Sequence, residues 1–143
     1  MIQSLLLAFW TMAVLLMTCT TGFELENNML QLYFSWTSKP EFEDLFLRLP
    51  IELTEPFILQ KVGHLFAFVI LGFLLKMQTS TDKTILFSLC FAMLTEVLQL
   101  YLSRGGRLFD VAFDLIGAAI GIGSVSLLQT LITKRQNSTT LKR

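Results

Sequence analysis

This sequence is short of charge. Asp, Glu, Lys and Arg make up 15% of its 143 residues, where a soluble domain carries about 25%. An ordinary water-facing surface is therefore not what this chain builds. The few charges also cancel: 11 basic and 11 acidic side chains give a formal net charge of zero. That balance removes the electrostatic footprint of a nucleic-acid binder. Cysteine is scarce as well. Cys19 and Cys90 both fall in apolar runs, so no disulfide framework is expected and both read as small hydrophobes. Zinc-ligand spacing, a serine-nucleophile elbow and a phosphate-cradling glycine loop are all missing from the pattern. Neither a metal nor a cofactor is expected from the spacing of residues along the chain.

What the chain has in plenty is apolar sequence: 53% of residues are hydrophobic and the mean hydropathy is +0.62. A helix needs about 17–25 apolar residues to cross a bilayer. Four runs meet that, at about Leu5–Thr21, Phe57–Leu75, Ile85–Leu102 and Leu108–Ile132. The first has only "MIQS" before it, with no basic segment, and exceeds the usual core of a signal peptide; it is read as a retained helix. The expected fold is all-α, an integral membrane four-helix bundle. Residues 1–21 form the first transmembrane helix, 22–56 an extracytoplasmic loop, 57–133 a three-helix core and 134–143 a cytoplasmic tail. Within the loop, Ser38 and Glu41 have capping-box spacing, and Phe42, Leu45, Phe46 and Leu49 share one helical face. A short amphipathic helix lying on the membrane surface is expected there, with a plain solvated loop as the alternative.

Orientation is read from Lys and Arg in the flanks. Lys76 and Lys83 between spans two and three share a side with the tail, which holds Lys134, Arg135, Lys142 and Arg143. The other side has Lys39, Arg48, Arg104 and Arg107 beside a strongly acidic first loop. Both termini are expected in the cytoplasm of a cell whose membrane the chain crosses.

Ionisable residues are nonetheless threaded through the apolar runs. Lys61 and His64 are i, i+3 in span two; Glu96 and Gln99 are i, i+3 in span three; Asp110 and Asp114 are i, i+4 in span four, with Gly117 and Gly121 continuing their stripe. Such spacing places each set on one face of its helix. At 1.5 Å of rise per residue, Lys61, His64, Glu96 and Asp114 all lie roughly 8–12 Å below the extracytoplasmic end. Three spans thus deliver polar groups to one level. A charge at the centre of a membrane helix costs about 2.5–3.5 kcal/mol, so such groups pair or line a cavity. Lys61, Arg104 and Arg107 balance Glu96, Asp110 and Asp114. A purely structural ion-pair network is one reading, although buried pairs are a weak source of stability. In "SRGGRLFD", Gly105-Gly106 sets a tight turn that holds two arginines near a helix N-terminus. Their forks suit a phosphate or carboxylate; pairing with Asp110, Asp114 or lipid headgroups is the equal alternative. "GAAIG" (Gly117–Gly121) has the spacing that lets helices approach closely, here read as packing within the chain.

These residues also carry a resemblance. "KVGHLFAFVILGFLL" resembles a K-x-x-H motif followed by an apolar run, and "EVLQLYLSRGGRLFDVAFDLIGAAIG" resembles an E-x-x-Q, an arginine-containing turn, an aspartate and a small-residue C-terminal helix. In that order they resemble the VanZ-like family of small bacterial membrane proteins over about Phe57–Gly123. Where that family commonly has Asn, this chain has Asp114. The family is named for a protein of low-level teicoplanin resistance. The resemblance implies a link to glycopeptide tolerance, and the outward-facing polar cluster adds the first reading, a protein that engages an anionic lipid-linked envelope component from outside. Lys61, Gln99, Arg104, Arg107, Asp110 and Asp114 would be its ligand-binding residues, with membrane lipids as partners and no nucleic acid. Two alternatives use the same residues. One is a membrane-embedded hydrolase or transferase on a lipid-linked substrate, with His64 as base and Glu96 orienting it. The other is a proton-coupled carrier with Glu96, His64 and Asp114 as relay. The sequence does not separate the three, and it does not set the oligomeric state.

Overall fold

The computed structural model describes residues 2–20, 22–26, 29–46, 55–102 and 105–140. Four helices dominate: α1 (Ile2–Cys19), α2 (Glu55–Lys76), α3 (Thr81–Tyr101) and α4 (Leu108–Thr140). Each is long and apolar enough to cross a membrane, as the four apolar runs require. Large apolar side chains such as Leu6, Phe9, Phe66, Leu86, Ile116, Ile120 and Leu131 stand exposed along them. In water that surface would be a liability; against lipid tails it is matched.

Chain direction follows from the contacts. Gln78 in the α2–α3 turn bonds Ser4 and the Gln3 carbonyl, while the Trp10 indole donates to the Ala67 carbonyl at 2.9 Å. α1 and α2 are therefore antiparallel. Lys61 meets Asp110 and His64 meets Asp114, so partner numbers rise together and α2 runs parallel to α4. The N-terminus of α1, the α2–α3 turn and the C-terminal half of α4 share one end of the bundle. The α3–α4 turn lies at the other.

α2 and α4 make the most intimate contact in the molecule. A Cβ added at Gly117, Gly121 or Gly72 would overlap the backbone of Leu65, Val69 or Ala118 respectively. The small-residue stripe is thus used inside the chain, as its spacing predicts. Alongside this seam, Phe68, Leu71 and Leu75 of α2, Phe91 and Ala92 of α3, Val111 of α4 and Val14 of α1 form the buried apolar core.

The first loop differs from expectation in detail. A two-stranded antiparallel hairpin, β1 (Gly22–Glu26) with β2 (Met29–Tyr33), precedes the helical turn. Its register sets Phe23 opposite Leu32 and Leu25 opposite Leu30, with Glu24 opposite Gln31. That is the period-two alternation of a strand pair. The short helix is present as five residues of 3-10 helix, Phe42–Phe46; Leu49 lies outside the described residues. Ser38 does not cap it. Instead the Thr37 hydroxyl accepts the Lys39 amide at 3.2 Å, and Asp44 N–H bonds the Glu41 carbonyl at 3.1 Å. The loop is fastened to α3 at Tyr101: Thr37 N–H donates to the Tyr101 carbonyl at 2.8 Å, Trp36 stacks on the Tyr101 ring and Phe42 meets it edge-on. At the far end of the chain, α4 continues to Thr140, so the expected tail begins as helix. Between Ile132 and Thr140 there is neither Gly nor Pro to stop it.

Candidate functional site

The parallel pairing of α2 and α4 decides what the polar residues meet. Because Gly117 and Gly121 face α2, Asp110 and Asp114 on the same stripe face α2 as well, one and two turns nearer the α3–α4 turn. Opposite them, in register, stand Lys61 and His64. The Lys61 ammonium pairs with Asp110 Oδ2. His64 Nδ1 lies 3.6 Å from Asp114 Oδ1.

α3 supplies the third side. Glu96 is buried with 1% of its surface exposed, and Gln99 with 1%. Both belong to a polar face of α3 that also buries Thr84, Ser88 and Thr95. The Glu96 carboxylate reaches across to the start of α4 and accepts the Arg107 backbone N–H at 2.7 Å. Arg107 directly precedes α4, so its amide is one of the donors left unsatisfied at a helix N-terminus. Gln99 donates to the other Glu96 oxygen at 3.5 Å. The turn is shaped for this. Gly105 adopts φ +65°, where side chains are strained, and a Cβ at Gly106 would overlap the Glu96 carbonyl. The glycine pair thus lets the chain reverse directly over Glu96.

Of the residues read as one cluster from the sequence, the described ones are brought together, with one change of partner. Glu96 was expected to orient His64; the carboxylate closest to that imidazole is Asp114, and the direct bonds of Glu96 go to Arg107 and Gln99. Arg104 lies outside the described residues. Thr84, Ser88 and Thr95 were missed by sequence reasoning. Their signal was available: 84, 88, 95 and 99 recur at steps of four and seven through an otherwise apolar helix.

The polar groups are not all satisfied. Among the described residues, Asp110 Oδ1, both oxygens of Asp114 and Arg107 Nη1 are buried without a hydrogen-bond partner. Asp114 is fully buried, at 0% exposure. Native interiors leave few such atoms, and each calls for a cause. His64 and Lys61 are the more open members, with 18% and 15% of their side chains exposed. The cluster thus combines two cationic groups, one imidazole and three carboxylates in a nearly closed space next to a helix N-terminus.

No solved structure matches this chain. Among curated proteins it is similar to an uncharacterized membrane protein, YwnJ, of Bacillus subtilis (strain 168), at 37% identity over 134 residues, covering 92% of this chain and 93% of the relative. The VanZ/LLP1 family model matches residues 4–129. That span takes in all of the paired residues above and most of all four helices, so this multi-pass membrane chain belongs to the VanZ-like family.

Proposed function

We propose that the protein holds an anionic, lipid-linked component of the cell envelope at its polar end, and through it modulates tolerance to glycopeptides of the teicoplanin type. The observation that carries this reading is Arg107. One of its guanidinium nitrogens is buried without a partner among the described residues, directly before the N-terminus of α4, where backbone dipoles favour an anion. Arg104, three residues earlier in the sequence, is assigned to the same anion. Lys61 adds a cation held in place by Asp110, and the Glu96 bond to the turn fixes where the guanidinium starts. In this reading the polar end faces outward and both termini are cytoplasmic.

The test uses Arg107→Gln and Arg107→Lys in cells. Both variants are expected to accumulate in the membrane like the parent. Arg107→Gln should lose the effect on envelope-antibiotic tolerance, and Arg107→Lys should restore it only in part, because a point charge does not reproduce a two-pronged fork. Full tolerance in Arg107→Gln would defeat the reading. Orientation is checked with single cysteines at positions 35 and 80 and an impermeant thiol reagent on intact cells; only position 35 should label.

A second reading gains one observation. An imidazole 3.6 Å from a buried carboxylate is the arrangement of a general base and its orienting group, which favours a hydrolase or transferase with His64 as base and Asp114 in the place given to Glu96. Turnover of a polyprenyl phosphate ester by the purified protein, lost in His64→Gln, would select it over binding.

A further inference from the structure

Beyond the anion reading, and independent of it, lies a feature of three ionisable groups of the cluster. His64, Glu96 and Asp114 come from three helices, yet one ligand-type atom of each lies within 4.8 Å of the others. Two ligands about 2.1 Å from one ion in a tetrahedral arrangement are roughly 3.4 Å apart; His64 Nδ1 and Asp114 Oδ1 are 3.6 Å apart. Among the described residues, neither oxygen of the fully buried Asp114 has a hydrogen-bond partner, and one of them belongs to this group. Lys61 is engaged with Asp110, and among the described residues no lysine or arginine side chain forms an ion pair with Glu96 or Asp114. Metal ligands bind deprotonated, and in that form two carboxylates and an imidazole would carry the two negative charges that a divalent cation cancels.

We propose that His64, Glu96 and Asp114 form a divalent metal site, taking a first-row cation such as Zn2+ or Mn2+ through one imidazole nitrogen and one oxygen of each carboxylate. One nitrogen and two oxygens with coordination positions left over suit these ions better than the all-oxygen shells of Ca2+ or Mg2+. The supporting contacts are also in place. The Arg107 N–H anchors one Glu96 oxygen at 2.7 Å and leaves the other, 3.5 Å from Gln99, to face the ion. Such outer contacts orient ligand carboxylates. The partial opening at His64 gives an ion its way in.

The test uses the full chain in detergent, without a histidine tag and with Cys19→Ala and Cys90→Ala, after chelator treatment. Zn2+ and Mn2+ are titrated by calorimetry, and Co2+ by visible absorption. The expected result is one ion per chain, a melting temperature that rises with the metal, and affinity at least about tenfold weaker in His64→Gln and in Asp114→Asn. His64 sits at the edge of the cluster, so His64→Gln decides the matter even where Asp114→Asn does not fold. Absence of saturable binding, or binding that His64→Gln leaves unchanged, overturns the proposal. Because the probes are metals alone, this outcome is separate from the fate of the anion reading.

Discussion

The seam between α2 and α4 has two ends built on one stripe of one helix pair, and they solve opposite problems. Away from the α3–α4 turn, Gly117 and Gly121 of α4 and Gly72 of α2 let backbones touch. Nothing polar in their side chains is involved, and dispersion across a close approach does the holding. Nearer the turn the same stripe presents Asp110 and Asp114, and α2 answers with Lys61 and His64. The first end is fully complementary. Among the described residues, the second leaves buried oxygens of Asp110 and Asp114 without a hydrogen-bond partner. A helix pair able to close on glycines alone has no structural need for such groups, so the contrast separates scaffold from site.

The largest effect belongs to the scaffold end. Gly121→Leu drives a branched side chain into the Val69 backbone. Overpacking typically costs about 1–3 kcal/mol and more where rigid backbone must yield. Loss of folded protein from the membrane is expected, scored by detergent-resistant yield and melting. A variant that melts like the parent would break the distinction between the two ends.

Next comes the ion pair. Lys61→Met or Asp110→Leu alone should destabilise by about 1–3 kcal/mol with folded protein still recovered, because the partly buried pair then keeps only one of its two charges. The double variant Lys61→Met/Asp110→Leu should recover much of that. Additive losses in the thermodynamic cycle would show that the two residues act separately.

Glu96 should respond less. Glu96→Gln keeps an oxygen for the Arg107 amide and trades a charge-assisted bond for a neutral one, a loss of about 1 kcal/mol. Glu96→Ala leaves that amide without its acceptor and should cost more. If the two variants melt alike, the bond across the turn contributes nothing to the fold.

The smallest effect lies one residue from the largest. Ile120 is 49% exposed beside Gly121, on the lipid-facing side of α4, and Ile120→Ala should stay within about 0.5 kcal/mol of the parent. A loss comparable with that of Gly121→Leu would mean that this face is covered by another chain.

Much of the molecule was legible in its sequence because membrane folds follow from few rules. Long, mostly apolar runs fixed the four spans, since a backbone in lipid must satisfy its own hydrogen bonds. The i, i+3 and i, i+4 spacing of Lys61/His64, Glu96/Gln99 and Asp110/Asp114 fixed which face of each helix turned inward, and the stripe through Gly117 and Gly121 fixed which faces would touch. The hairpin was harder to see. Its strands are short, its alternating residues lie among polar ones, and neighbouring Phe42, Leu45 and Phe46 invite a helical reading. The 3-10 turn ended up shorter than a full amphipathic helix, with Trp36 and Phe42 spent on covering Tyr101.

Spacing along one helix says which residues are neighbours on that helix. It carries no information on the relative height of two helices, and height is what assigns partners. A parallel α2–α4 pair shifted by a single turn, about 5.4 Å, would have set His64 against a different carboxylate. Only the tertiary structure decided that Lys61 takes Asp110, that His64 faces Asp114, and that Glu96 is drawn to the Arg107 amide. The reason is physical: glycine-lined backbones lock the helices at one height, and the Gly105-Gly106 turn ties α3 to α4 over Glu96. The same reason hides the three-residue ligand group from any linear motif, since His64, Glu96 and Asp114 belong to three different helices and meet only once those helices are locked.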